Sequence, residues 1–125
     1  MAVLGFNHYN LRAERSMMEQ LKVFYRDVVG LRIGDRPQLT SFGYWLYAES
    51  IDVLHLSEAK PEEKRRENVA TTFDHVAFTA TDYDATIVRL EKLSIEFKTR
   101  EISDTGQKQI FFRDPAGNGI ELNFS

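Results

Sequence analysis

The chain has 125 residues, 42% of them hydrophobic, which is typical of one globular domain with a substantial core. Its net charge of -3 argues against nucleic acid or an anionic membrane as a partner. The absence of cysteine excludes disulfides, thiolate metal sites and a cysteine nucleophile. The N-terminal residues lack a signal-peptide pattern and no apolar run approaches about 18 residues, so we expect a cytoplasmic protein.

The first half of the chain has the pattern of one strand, one helix and three more strands. Ser16 is the predicted N-cap of the helix and forms a capping box with Glu19, and Gly30 suits its C-terminal end. Its apolar residues recur at helical spacing. The predicted strands are residues 3–11, 31–36, 43–48 and 51–57, and the last two form a hairpin.

The second half repeats this order. Asp82 is the predicted N-cap of its helix. The predicted strands are residues 72–80, 95–100, 107–113 and 119–124, with Pro and Gly in the last connection. A charged segment, residues 58–70, links module 1, about residues 1–57, to module 2, about residues 71–125. The predicted fold class is therefore α+β, with two tandem βαβββ modules in a single domain.

Four metal-ligand residue types occupy positions related by this repeat. His8 in FNHYNL is echoed by His75 in FDHVAF, 67 residues later. His55 in VLHL is echoed by Glu121 in IELN, 66 residues later. The chain has only these three histidines. Three imidazoles and a carboxylate suit a divalent transition metal.

Strand parity supports a shared role for these four residues. Alternate residues of a strand lie on one face, so His55 opposes Leu54 and Leu56, and each of the other three opposes apolar neighbours in the same way. The apolar faces can pack on the helices, which leaves the donors facing a groove. A single strand histidine is commonly structural, but a buried Glu121 needs a cation nearby. The alternative is a decayed site whose residues remain as a polar core.

Aromatic residues cluster on the two hairpins, at Tyr44, Trp45, Tyr47, Phe111 and Phe112. Sheet packing and ligand stacking both explain them. The register of the first hairpin does not follow from the sequence. Whether Tyr44 and Leu46 or Trp45 and Tyr47 face the groove therefore stays open.

Three segments resemble the vicinal oxygen chelate superfamily, which includes glyoxalase I, bleomycin resistance proteins and extradiol dioxygenases. FYRDVVGLRIG (residues 24–34) is similar to the family's first-helix signature. FDHVAF is similar to the opening strand of its second module, and FFRDPAGNGIELNF (residues 111–124) to its closing hairpin. The resemblance covers essentially the whole chain and implies a glyoxalase-like domain whose paired modules form a curved mixed sheet around a metal site.

The resemblance implies that His8, His55, His75 and Glu121 bind a divalent metal, Zn, Ni, Fe or Mn, with Glu121 also catalytic. It implies a small substrate that chelates the metal through neighbouring oxygens, a homodimer, and either lyase/isomerase or ring-cleaving dioxygenase chemistry. In some members the site is built across a subunit boundary. The alternative is a non-catalytic small-molecule binding protein of the bleomycin-resistance type.

One departure concerns glyoxalase I. In that enzyme a glutamate usually occupies the position of His55, and two carboxylates are thought to move the proton. This chain keeps one of them, Glu121. It also lacks the ELTxNxG-like stretch that follows the second ligand in members that use glutathione. Strict glyoxalase I activity is therefore not expected.

Overall fold

The computed structural model describes residues 2–125 and divides into two compact units, the first ending at Arg66 and the second beginning at Glu67. Each unit contains a strand, a helix and three further strands in that order. The predicted α+β fold of two tandem βαβββ modules is therefore confirmed. No helix in the described part of the chain is long and apolar enough to cross a membrane.

Unit 1 carries one four-stranded sheet in the order β1-β4-β3-β2. Strand β1 runs parallel to β4, and the other neighbours are antiparallel. A π-helical turn extends the helix to Val29, and Gly30 follows it with a φ of 97°, as a helix end requires. The elements are β1 (Tyr9–Ala13), α1 (Arg15–Phe24), the π-helical turn (Tyr25–Val29), β2 (Arg32–Gly34), β3 (Gly43–Ala48) and β4 (Ile51–Glu58).

Unit 2 repeats the arrangement with the order β5-β8-β7-β6. Strand β5 is parallel to β8, and the other pairs are antiparallel. Its elements are β5 (His75–Thr79), α2 (Tyr83–Lys92), β6 (Lys98–Ile102), β7 (Gln107–Arg113) and β8 (Gly119–Phe124). The identical topology of the two sheets is the structural counterpart of the sequence repeat.

Each sheet buries the apolar face that parity predicted. In unit 1, β3 and β4 contribute Leu46, Leu54 and Leu56, and the helical segment contributes Met18, Leu21 and Tyr25, all at most 1% exposed. In unit 2, Tyr83 of α2 meets Phe124 of β8 edge-to-face at 5.3 Å, which places α2 on the face of Phe124. The faces that carry His55 and Glu121 are therefore turned away from the helices.

The predicted capping box is wrong. The N-cap of helix α1 is Glu14, two residues before the predicted Ser16, and it makes no side-chain capping bond. The Ser16 hydroxyl donates to Glu14 instead. The Glu19 carboxylate accepts the Tyr44 hydroxyl at 2.6 Å and pairs with Lys22 at 2.8 Å. Glu19 is not available to cap the helix because a tertiary partner on β3 and a helical neighbour occupy its oxygens.

The bond from Tyr44 to Glu19 ties α1 to β3, so Tyr44→Phe is expected to lower the free energy of unfolding by about 1–2 kcal/mol. Hydrogen bonds from Lys22 and then Tyr44 hold the pKa of Glu19 below its ordinary value. A depressed carboxyl pKa contributes stability above the unfolded pKa that is lost as pH falls through the folded pKa.

Denaturation of Tyr44→Phe, Glu19→Ala and the double variant measures this coupling. It should be present at pH 7 and be lost in acid, as the pH falls through the lowered pKa of Glu19 in the folded protein. A coupling that is unchanged in acid would show that the two side chains interact through packing alone.

Several strand boundaries differ from the predictions, and β2 covers only Arg32–Gly34 of the predicted residues 31–36. Strands β1 and β5 begin at Tyr9 and His75, several residues later than predicted, so His8 lies just before β1. Strand β6 covers Lys98–Ile102 rather than residues 95–100. The reason for the last shift is that the Ile95 amide donates to the Leu90 carbonyl and so still belongs to the end of α2.

Candidate functional site

The two predicted ligands of unit 1 lie in contact as part of a stack of three rings. The His8 and His55 ring centroids are 3.7 Å apart with an interplanar angle of 17°. Trp45 stacks on His55 at 4.0 Å and 7°. Trp45 is the cross-strand neighbour of His55 in the β3–β4 ladder, which explains why the indole lies beside this ring.

Hydrogen bonds orient both rings. His8 Nδ1 lies 2.7 Å from the Asn7 amide oxygen, and His55 Nε2 lies 2.7 Å from Asp52 Oδ2. The bond from His55 holds the pKa of Asp52 below its ordinary value. His55 is 9% exposed, whereas His8 is exposed. The unit therefore contains one anchored imidazole and one with room to turn.

The two predicted ligands of unit 2 also form a pair. His75 Nε2 lies 3.1 Å from Glu121 Oε1, and its Nδ1 lies 2.8 Å from Asp74 Oδ2. A carboxylate on the distal nitrogen is the arrangement that fixes the ring of a metal-binding histidine. Phe111 lies beside this pair. Its ring meets the His75 ring edge-on at 6.2 Å, and Phe111 is the cross-strand neighbour of Glu121 in the β7–β8 ladder.

Glu121 is buried, and its two oxygens have different partners. Oε2 accepts N–H bonds from Gln109 at 3.0 Å and Asn123 at 2.7 Å, while Oε1 faces His75. Gln109 is itself 5% exposed, and its amide oxygen accepts from Arg100 Nε at 2.9 Å. These bonds leave Oε1 as the oxygen that is directed toward the imidazole.

The pair in unit 2 fits a divalent cation. Two ligand atoms at right angles on a six-coordinate ion, each about 2.1 Å from it, lie about 3.0 Å apart. The observed separation of His75 Nε2 and Glu121 Oε1 is 3.1 Å. Without a cation, a carboxylate buried to 7% exposure depends on His75, Gln109 and Asn123 for its charge compensation.

The pair in unit 1 fits by donor type but not yet by orientation. The lone pairs of two stacked rings lie in nearly parallel planes about one stacking distance apart, so they do not converge on one ion until one ring turns. His8 is the ring with that freedom, since it precedes β1 and is exposed. Within residues 2–125, no three His, Asp or Glu side chains are grouped to hold a metal ion. The four predicted ligands thus form two pairs, one in each unit.

The register that the sequence left open is resolved by strand pairing. Trp45 pairs with His55 and shares its face, whereas Tyr44 points to α1 and bonds Glu19. On the second hairpin, Phe111 shares the face of Glu121, and Phe112 is 5% exposed in the core. One aromatic residue of each hairpin therefore lies beside a predicted ligand, and the next one packs in the interior.

No site role was predicted from the sequence for Gln109 and Asn123, the two amide side chains that bond Glu121. Asn123 is two positions from Glu121 on β8, and Gln109 lies opposite Asn123 on β7. Arg100 lies opposite Gln109 on β6. Polar residues at the parity of Glu121 on three adjacent strands were the available signal, and it required the strand order to be read.

A family comparison matches residues 5–122 to the Glyoxalase/Bleomycin resistance protein/Dioxygenase superfamily. The chain belongs to this superfamily. The predicted resemblance is therefore confirmed at the level of the superfamily. Because its members include enzymes and resistance proteins by name, membership alone does not choose between catalysis and binding.

The chain is also similar to a curated protein and to solved structures. The uncharacterized protein YaeR of Escherichia coli is 26% identical over 106 residues, which are 81% of this chain and 82% of YaeR. Lactoylglutathione lyase from Agrobacterium tumefaciens aligns with a TM-score of 0.68 at 23% identity, over 100% of this chain and 96% of its own.

Two further structures differ in what they bind. The fosfomycin resistance protein FosX from Listeria monocytogenes, solved with Mn(II) and sulfate, has a TM-score of 0.68 at 16% identity and covers 98% and 93% of the two chains. TnmS3, an antibiotic binding protein from Streptomyces sp. CB03234, has a TM-score of 0.67 at 21% identity and covers 99% and 98%. At these identities the likeness shows a shared fold.

Proposed function

We propose that this protein is a divalent-metal-dependent enzyme of the glyoxalase-like type, and that His8, His55, His75 and Glu121 are its metal ligands. Its substrate is a small molecule that binds through two neighbouring oxygens. The observation that carries the proposal is that each module brings its two candidate donors together, at 3.7 Å between ring centroids in unit 1 and at 3.1 Å between atoms in unit 2.

Supporting contacts favour a site over a polar core. Asp52, Asp74 and the amide groups of Gln109 and Asn123 each bond one of the four candidate ligands. Such outer partners fix the tautomer and direction of metal-binding side chains. The presence of a divalent Mn(II) ion in the related FosX fold supports a metal here as well.

Bound to these residues, the metal would supply Lewis-acid stabilisation of negative charge on a substrate oxygen. Glu121 is our candidate for the catalytic carboxylate. Its Oε2 is held by two amide N–H groups and its Oε1 is directed at His75, so Oε1 would bind the metal, and it would accept a substrate proton once released from the metal. Trp45 stacks on His55 and Phe111 lies edge-on to His75, so one aromatic ring borders each ligand pair.

The ligand set narrows the reaction. Three imidazoles and one carboxylate give the site one fewer negative charge than a set with two carboxylates. We therefore propose lyase or isomerase chemistry on an oxygen-rich substrate, or ring cleavage if the metal is iron, rather than strict glyoxalase I activity. A homodimer is also proposed, on the basis of the superfamily.

Elemental analysis of untagged protein is the direct test. We expect about one divalent metal per chain, together with activity toward a vicinal dioxygen substrate after reconstitution with Ni²⁺, Mn²⁺, Fe²⁺ or Zn²⁺. A protein that stays metal-free after gentle purification and metal challenge would contradict the proposal.

Trp45 provides an optical test, because it is the only tryptophan of the chain and stacks on His55. Addition of Ni²⁺ to chelator-treated protein is expected to quench Trp45 emission and to saturate at the stoichiometry found by elemental analysis. Chelator should restore the emission. An excess of Zn²⁺, whose filled d shell does not quench in this way, should compete with Ni²⁺ for the site and recover the emission. Quenching that grows without saturation would indicate collisional quenching instead of a site.

A second candidate function is ligand sequestration without catalysis. The observation that favours it is the half-buried Trp45 beside two stacked imidazoles, a flat aromatic surface on which a planar molecule can stack. TnmS3, which binds an antibiotic, shares the fold. Isothermal titration with planar aromatic drugs separates the two functions, since a stoichiometric complex unaffected by chelator would favour sequestration.

A further inference from the structure

We propose that Arg100 is a positioning residue for Glu121 and acts through the side-chain amide of Gln109. The chain of contacts runs from Arg100 Nε to Gln109 Oε1 at 2.9 Å and from Gln109 Nε2 to Glu121 Oε2 at 3.0 Å. The effect of Arg100 on metal binding rests on the proposed function, whereas its effect on the orientation of the Gln109 amide does not.

The direction of the Gln109 amide is decided by its two neighbours. A guanidinium only donates hydrogen bonds, so it selects the amide oxygen of Gln109. The NH₂ group is then directed at the other neighbour, the Glu121 carboxylate, which only accepts when ionised. Because one end meets a donor and the other an acceptor, a single orientation of the amide satisfies both contacts. A flipped amide would place its oxygen against the Glu121 carboxylate and its NH₂ group against the Arg100 N–H, so neither contact would be a hydrogen bond.

Burial makes this selection strict. Gln109 is 5% exposed and Glu121 is 7% exposed, so neither side chain can exchange a lost partner freely for water. A buried donor or acceptor that loses its partner costs the full free energy of its desolvation, because no hydrogen bond compensates for it. Arg100 itself is exposed and lies over the Phe111 ring at 5.7 Å. The relay thus connects an exposed cation on β6 to a buried carboxylate on β8.

The consequence for Glu121 is that each of its oxygens keeps its own partners. Because Gln109 and Asn123 both donate to Oε2, the carboxylate cannot rotate without breaking two hydrogen bonds. Oε1 stays directed at His75. Reversal of the Gln109 amide would place its oxygen against Oε2 and push the carboxylate out of this position.

Charge reversal at Arg100 tests the relay. In Arg100→Glu the new carboxylate accepts from the Gln109 NH₂ group and removes it from Glu121, whereas Arg100→Lys retains a donor-only cation and should rescue the native orientation. Lys98→Glu is the matched control. Lys98 lies two residues earlier on the same strand and face and undergoes the same charge change, but it pairs with Phe111 rather than Gln109.

Two measurements are made on each variant. In metal-free protein, NMR of the Gln109 side-chain amide should show a shifted NH₂ pair in Arg100→Glu, with native positions in Arg100→Lys and Lys98→Glu. In titrations with Mn²⁺, Arg100→Glu should bind about 10–100-fold more weakly than wild type. Lys98→Glu should lose much less affinity.

The outcomes separate the inference from the proposed function. Native amide signals in Arg100→Glu, or equal losses of affinity in Arg100→Glu and Lys98→Glu, would overturn the relay. A third outcome is that wild-type protein binds no Mn²⁺ and that the Gln109 signals are shifted in Arg100→Glu but in no other variant. The proposed metal function then fails, and the positioning of Glu121 stands.

Discussion

His55→Ala is expected to reduce the metal content of the purified protein from about one ion per chain to nearly none. His55 is the best anchored of the four proposed ligands. It is 9% exposed, bonds Asp52 at 2.7 Å and lies between the rings of Trp45 and His8. Replacing it removes one donor and also the ring against which His8 rests, so two ligands are affected by one substitution.

Ser57→Ala is the matched control for His55→Ala. Ser57 lies two positions further along β4 on the same face, is 4% exposed and donates to Asn10 at 3.0 Å. Its loss is expected to cost about 1 kcal/mol of stability and no metal. Inductively coupled plasma analysis of both variants, with circular dichroism to confirm folding, gives the comparison. Full metal content in a folded His55→Ala protein would exclude His55 as a ligand.

The hairpins were predictable because their turn chemistry is local. Strands Gly43–Ala48, Gln107–Arg113 and Gly119–Phe124 have the predicted bounds, and Glu49, at the predicted turn, has a φ of 55°. A turn that contains a residue in the left-handed conformation, a Pro or a Gly fixes the ends of both flanking strands. Such signals depend on few residues and survive in any tertiary context.

Edge strands were less predictable because their length depends on a partner. Strand β1 pairs only with β4 and β5 only with β8, each over five residues. The alternation in FNHYNL and FDHVAF extends beyond the paired residues, so the predicted strands were too long. The same limitation explains Glu19, whose partner Tyr44 lies 25 residues away and outweighs the local capping pattern.

The donor pairs followed from parity and repetition, but their geometry did not. Parity assigned His55 and Glu121 to the face opposite the core, which the registers confirm. It could not reveal that His8 and His55 stack, because ring orientation depends on side-chain torsions and on Trp45. Their role as ligands stays a prediction, and the two pairs define which substitutions test it.

Gly119→Ala is expected to be among the most disruptive single-methyl changes in unit 2. Gly119 pairs with His75 across the parallel β5–β8 ladder. A Cβ at this position would lie 2.3 Å from the Asp74 carbonyl oxygen and 3.0 Å from His75 Cβ. The first contact is with backbone, so β5 must shift to relieve it. We expect a loss of about 1–3 kcal/mol in the free energy of unfolding.

The shift of β5 also bears on the site, because it moves His75 and Asp74 relative to Glu121 on β8. Metal affinity should therefore fall in Gly119→Ala even at temperatures where the variant is fully folded, whereas simple destabilisation leaves the affinity of the folded protein unchanged. Gly5→Ala is the control, since its added methyl would meet no atom within 4 Å, and it should change stability by less than about 0.5 kcal/mol. Urea denaturation and Mn²⁺ titration of both variants measure the two effects. Wild-type affinity in a destabilised Gly119→Ala protein would mean that the spacing of His75 and Glu121 does not control metal binding.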